Sequence, residues 1–253
     1  MISLGEALTR FSATPVGEGA DLRLPLREKK FARVRLAILA AVVQLTKERS
    51  LADVAVREIC EMAQVAPATF FNYFPGKGEV LVYYMRLWSI PVALLCRSTA
   101  ERGTTRDAIA AVFDYTAVEM EQHPRLMFEM IAYIAQAQQP PQPLSISRAE
   151  RLLAFPELPG AENVEPQSLD DLFTSLLQQA LRAGELAPSI SIEAAALLLK
   201  TIFYGVPLAT RHEGGQIVRH AYHEVLDVLL AGPRLDERRD PYAAEPARNT
   251  DLG

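Results

Sequence analysis

From residue 27 onward, apolar residues recur at steps of three and four. Val34, Ile38, Ala41, Val42 and Leu45 fall on one side of a helix, predicted over residues 27–49. A connector at 50–53 leads to a short helix over 55–62, whose buried side is Val56, Ile59, Cys60 and Ala63. Gln64, Val65 and Ala66 leave room only for a tight turn before another short helix, 67–74. Pro67 sits in its first turn, where a missing N–H costs nothing. After a PGKG break at 75–78, longer helices are predicted over 79–99, 105–122, 124–138, 145–155, 168–183, 192–211 and 216–231. Pro91 should kink the first of these or end its first part. Gly184 suits the position just past a helix end and Ser191 suits an N-cap. Residues 139–144 (QPPQPL) interrupt the pattern, and 156–167 reads as a loop with room to move. Residues 1–26 read as a flexible extension with a short helical piece at 4–11, and 232–253 as a disordered polar tail. With no period-two alternation and no internal repeat, the predicted class is all-α.

Composition narrows this picture. Half of the 253 residues are hydrophobic (49%), enough for a core without staples. Two cysteines, Cys60 and Cys96, lie inside apolar helical patterns. That excludes a disulfide scaffold and most thiolate metal sites, and it suits a reducing cytoplasm. No apolar run reaches about 18 residues, so no membrane span is expected. The first 25 residues lack the basic start and apolar stretch of a secretory signal. No phosphate loop, glycine-rich nucleotide turn or nucleophile motif is present, so neither an enzyme nor a cofactor is expected. His220 and His223 are three apart but lack a nearby third ligand, so no metal site is expected.

The net charge of −5 argues against a polyanionic partner until it is placed along the chain. Residues 1–90 hold 12 Lys+Arg and 9 Asp+Glu, whereas residues 91–253 hold 14 and 22. Residues 27–35 (REKKFARVR) alone carry five bases and one acid. Next to this basic start stand three helices with a three-residue turn between the second and third, a helix-turn-helix arrangement. In such a unit the second helix braces across a duplex backbone and the third lies in the major groove. Phe70 and Phe74, four apart, should point inward. Thr69, Asn72 and Tyr73 are left outside with Pro67 and Ala68. Tyr73 is either a phosphate contact through its hydroxyl or part of the core.

Residues 35–81 resemble the DNA-binding domain of tetracycline-repressor-like (TetR/AcrR) regulators. The matching residues are Arg35, Ile38, Leu39, Ala40, Ala41 and Leu45, then Val56, Arg57, Glu58 and Ile59, then Ala63, Val65, Thr69, Phe74, Lys77 and Leu81. The resemblance implies a helix-turn-helix domain at 27–78, followed by a helical effector-binding and dimerisation domain at 79–231. It implies a sequence-specific regulator, a repressor released from an inverted-repeat operator on double-stranded DNA by an unknown small molecule. It also implies a homodimer joined through 168–183 and 192–211. By the same resemblance, Lys29, Lys30, Arg33 and Arg35 form an arm toward the flanking backbone. Arg57 meets a guanine or a phosphate, unless it pairs with Glu61. Pro67, Ala68 and Thr69 meet bases, Asn72 and Tyr73 meet base or phosphate, and Lys77 meets phosphate. Candidate effector-lining residues are Trp88, Phe113, Met127, Met130 and Tyr133, each of which could equally be plain core.

Several positions depart from the family pattern. Ser50 and Gln64 stand where Gly is common, so strain is expected there. Ala55 and Ala66 replace side-chain caps, with Asp53 a possible substitute at the first. Phe71 stands where a Tyr usually meets phosphate, and Tyr73 where a His is common. The competing reading is a helical small-molecule-binding or scaffold protein with a vestigial helix-turn-helix.

Overall fold

The apolar periodicity resolves into eleven α-helices and two short 3-10 turns among the described residues, with no strand. A computed structural model of the chain describes residues 3–13, 24–138, 144–186, 189–213 and 215–230. Helix α1 (Leu4–Ala13) precedes the three-helix head formed by α2 (Leu26–Leu45), α3 (Val56–Ala63) and α4 (Pro67–Tyr73). The body consists of α5 (Lys77–Ala100), α6 (Thr105–Gln122), α7 (Pro124–Gln136), α8 (Arg148–Ala154), α9 (Leu169–Arg182), α10 (Ile192–Ala209) and α11 (Gly215–Leu230). The expected tail at 232–253 and most of the QPPQPL break lie outside the described residues.

The head is built as the periodicity requires. Ile38, Leu39 and Val42 of α2 close over Ile59 of α3 and Phe70 at the start of α4, all fully buried. Helix α2 ends at Leu45, a turn earlier than predicted. There the Thr46 hydroxyl donates back to the Val42 carbonyl at 2.8 Å and Thr46 itself is buried. Gln64 holds the left-handed conformation (φ 54, ψ 44) that closes the turn, the strained position its sequence foretold. Ser50 has an ordinary extended conformation (φ −67, ψ 151) and carries no such strain. Asp53 accepts from the Ser50 hydroxyl and does not cap α3. Glu58 instead accepts from the Ala55 N–H at 2.8 Å. Helix α4 starts at Ala66 with no side-chain cap. Gln64→Gly and Ala66→Ser are each expected to stabilise the protein by up to about 1 kcal/mol, read as a raised unfolding midpoint.

Helix α5 does not break at Pro91 but runs unbroken through it. The lost backbone hydrogen bond is offset by burial of Leu87, Ile90, Val92 and Cys96 around it. A ring cluster then fastens the body together. Phe113 of α6 meets Tyr222 of α11 at 4.6 Å and Phe173 of α9 at 5.8 Å, and Phe203 of α10 meets Trp88 of α5 at 5.6 Å. The loop at 156–167 is pinned rather than loose. Arg151 donates to the Val164 carbonyl at 2.7 Å, the Ser89 hydroxyl receives the Gln167 N–H at 3.0 Å, and Ala161 and Val164 are buried.

Two expectations change. The helical piece at 4–11 is present but is no loose extension: Leu4, Ala7 and Leu8 are buried, and α1 packs on α2, α6 and α8. Two helices, Lys77–Ala100 and Ile192–Ala209, do reach the length and mean hydropathy (1.4 and 1.5) of a membrane span, although no uninterrupted apolar run does. For α5 the apolarity is core, since two thirds of its residues there are buried. For α10 only one third is buried, which leaves an apolar face uncovered.

Candidate functional site

The outer face of α4 is small and polar, as predicted, except for Phe71. Pro67, Ala68 and Asn72 are exposed, Thr69 and Tyr73 half-buried, and Phe70 and Phe74 fully buried. Tyr73 packs at the edge of the core, half-buried, and its ring leans on Phe31 of α2 at 5.0 Å. That contact joins the end of α4 to the basic start of α2, where Lys30 is exposed and Arg33 half-buried. Arg57 projects from the first turn of α3, 84% exposed, and reaches Glu61 at 2.8 Å, the pairing its spacing allowed. At such exposure the pair is worth little, so it leaves the guanidinium free to exchange partners. Phe71, set aside in the sequence for lack of a hydroxyl, is 56% exposed and shares the face of Pro67, Ala68 and Asn72.

Two residues expected on this face are used elsewhere. Arg35 is buried. Its Nη1 lies 2.8 Å from the carboxylate of Glu150, itself fully buried, and 3.0 Å from the Ser145 carbonyl. The guanidinium also lies over the Tyr83 ring at 4.2 Å and the Phe74 ring at 5.2 Å. It ties head to body and cannot reach a phosphate. Lys77 donates its ammonium to the carbonyls of Leu51, Val54 and Ala52 at 2.6, 2.8 and 3.1 Å. It satisfies the carbonyls of the 3-10 turn before α3 rather than projecting outward.

In the body, α5, α6, α7, α9 and α10 line a partly open cavity of about 410 Å³. Trp88, Met127 and Met130 line it, as the sequence proposed. Phe113 does not: it is consumed by the ring cluster. Tyr133 does not either: its ring lies over Gly78 so closely that an added Cβ there would come within 2.1 Å. The other apolar walls include Met85, Met120, Leu126, Ile134 and Phe203. The polar lining is sparse. Lys200 is paired with Asp170. Glu119 accepts from the Tyr84 hydroxyl at 2.6 Å, and burial raises its pKa. Burial, helped by the charge of Lys47, pushes His123 down to about 4, so it is neutral at pH 7. Arg86 lines the same cavity, and its Nε is shielded with no hydrogen-bond partner. Sequence reasoning missed Arg86, Glu119 and His123. The signal was single polar residues set into apolar helical faces, which nothing local separates from solvent positions.

The described head coincides with a known sequence pattern. The profile of the family described as "Bacterial regulatory proteins, tetR family" matches residues 38–84. Residues 38–84, from α2 into α5, thus carry the TetR-family DNA-binding pattern. No curated protein matches the chain in sequence. Solved structures similar to this chain include FadR of Thermus thermophilus, a TetR family transcriptional repressor in complex with lauroyl-CoA. That structure is 20% identical, covers 86% of this chain and 100% of its own, and has a TM-score of 0.57. FadR of Bacillus subtilis in complex with stearoyl-CoA is 16% identical, covers 78% and 98%, and has a TM-score of 0.53. A putative TetR-family regulator from Syntrophomonas wolfei is 13% identical, covers 80% and 97%, and has a TM-score of 0.57. At these identities the likeness is one of fold, and it extends through the body. In the body His220 and His223 take separate partners, Glu224 at 3.3 Å and Asp114 at 2.8 Å.

The apolar stripe expected to join two copies through 168–183 is used within the protomer. Leu172, Phe173, Leu176 and Leu177 are all buried. Helix α10 instead exposes Leu197 (61%), Leu198 (44%) and Leu208 (40%).

Proposed function

We propose that this protein is a DNA-binding transcriptional regulator of the TetR family, a cytoplasmic repressor. As a homodimer it holds an inverted-repeat operator, and it lets go when an apolar molecule with an acidic group fills the body cavity. The division follows the break at 75–78, with the head at 27–78 and the body at 79–231. The observation that carries the reading is the outer face of α4, small, polar and continuous with the basic start of α2 through Tyr73 and Phe31. Lys30 and Arg33 neutralise flanking phosphates, Arg57 reaches a guanine edge or phosphate, and Pro67, Ala68, Thr69, Asn72 and Tyr73 meet the groove. Phe71 adds an apolar contact of the kind that reads thymine methyls. The exposed leucines of α10 supply the seam between copies, and doubling the heads doubles the sequence read.

The effector class rests on the cavity lining. Its walls are methionine, leucine and aromatic rings, and Arg86 is the cation there that no carboxylate neutralises among the described residues. An apolar body with one anionic group satisfies both. The complexes of the two FadR proteins with acyl-CoA point to fatty acids and their CoA thioesters as the first compounds to try.

The test is a selection of bound genomic duplexes, repeated with laurate and with lauroyl-CoA. A selected inverted repeat, released by one of these, is the expected result. Lys30→Ala and Arg33→Ala should each lower the slope of log affinity against log salt by about one, with sequence preference kept. Arg86→Ala should weaken effector binding about tenfold or more and leave operator affinity intact. A protein that binds no fragment more tightly than bulk DNA defeats the reading.

A further inference from the structure

Helix α1 stands before the head and outside the matched family segment, yet its Leu4, Ala7 and Leu8 are buried. Ser3 and Glu6 form its capping box: the Glu6 N–H reaches the Ser3 hydroxyl at 3.0 Å and the Ser3 N–H reaches Glu6 at 3.3 Å. The next two N–H groups, of Leu4 and Gly5, both donate to the buried carboxylate of Glu119, the latter at 3.4 Å. The Ser3 hydroxyl also reaches Gln122. A carboxylate at a helix N-terminus meets the positive end of the helix dipole, and here burial strengthens the attraction. Gly5 lies against His123 so closely that an added Cβ would fall 1.8 Å from Nε2. Glu119 and His123 are also walls of the effector cavity, and the Tyr84 hydroxyl that shares Glu119 is a third. On its other side α1 packs along α2, the helix that carries the basic arm.

We propose that α1 is a clamp between the effector cavity and the DNA-reading head. It is seated on Glu119 and His123 when the cavity is empty and unseated when an occupant displaces them. The proposal rests on the repressor reading and specifies its regulation. Occupants of the cavity press on the faces of Glu119 and His123 opposite to α1. A shift of the ring drives it toward the Gly5 backbone, where there is no free space. A shift of the carboxylate withdraws the acceptor from two buried N–H groups. Either loosens one of the contacts that order α2 against the body, beside its direct packing on α8 and α5, and the seated form is the one that binds operator.

The experiment needs no effector. Hydrogen exchange is measured for residues 3–13 in the wild-type protein, free and with saturating selected duplex, and operator affinity is measured for Glu119→Gln and Gly5→Ala. A glutamine offers one acceptor oxygen where two N–H groups and a hydroxyl now donate, and an alanine at position 5 pushes on the His123 ring from the other side. Both variants should speed exchange in α1 and weaken operator binding about fivefold or more, with the head's own amides still protected. Reciprocity requires that duplex slow exchange in α1 of the wild type. Unchanged exchange in α1 on binding duplex overturns the clamp. So do variants that loosen α1 yet bind operator with wild-type affinity, or variants that leave α1 unloosened. Should either variant fail to fold, the wild-type exchange measurement still decides. A wild type that selects no duplex overturns the repressor reading itself, an outcome distinct from the others.

Discussion

Arg35→Ala is expected to cost roughly 3–5 kcal/mol of stability, the scale for removing one partner of a buried ion pair. In a chain of this size that lowers the thermal midpoint by on the order of 10 °C. The loss has three sources. Glu150, fully buried, is left facing the Tyr83 hydroxyl at 2.7 Å without its cation. The Ser145 carbonyl loses its donor at 3.0 Å. The Tyr83 and Phe74 rings lose the guanidinium packed on them. Glu150→Ala should cost a similar amount, and the pair Arg35→Met with Glu150→Leu much less, because no charge is then stranded. Circular dichroism melts measure this directly. DNA binding separates the buried arginine from its neighbours. Arg35→Ala should abolish binding in proportion to unfolded protein, with the salt slope of the folded fraction unchanged. Lys30→Ala should leave the melt within about 0.5 kcal/mol and change the salt slope. A folded Arg35→Ala protein with a reduced slope would return Arg35 to the phosphate arm.

That contrast shows where reading the sequence stops. The helices of head and body follow from periodicity, and Phe70 and Phe74 turn inward as their spacing demands. The strain at Gln64 was legible because the turn needs a left-handed residue whatever occupies it. Arg35 was not, because a cation at the end of a basic run looks the same whether it faces water or a carboxylate 115 positions away. Lys77 was misread for the same reason, since its acceptors are backbone carbonyls that no sequence marks. Phe113 and Trp88 are both large, apolar and on converging helices. Only the packing decides that one fills the ring cluster and the other faces the cavity. The start of α1 did carry a local sign, Ser3 followed three residues later by Glu6. A capping box ahead of Leu4 and Leu8 argues for an anchored helix over a loose extension.

Leu197→Glu should convert a dimer into a monomer and lower operator affinity by a factor of about 10²–10⁴. Helix α10 is apolar enough to span a membrane, yet only a third of that stretch is buried in the protomer. Leu197, Leu198 and Leu208 stay 40–61% exposed on it, a run that water disfavours and a second copy can cover. A two-fold pairing uses the same face of both copies, so one substitution places two carboxylates in the seam. Because Leu197 is exposed in the protomer, the variant should melt as a folded monomer rather than unfold, and light scattering should report half the wild-type mass. Each head remains intact, so affinity for a single half-site should be unchanged while cooperative binding to the full inverted repeat is lost. A wild type that is already monomeric would remove the dimer from the mechanism and leave α10 as a docking face for another protein. A Leu197→Glu protein that stays dimeric would move the seam elsewhere, with Ile217 and Val228 of α11, both exposed, the next residues to test.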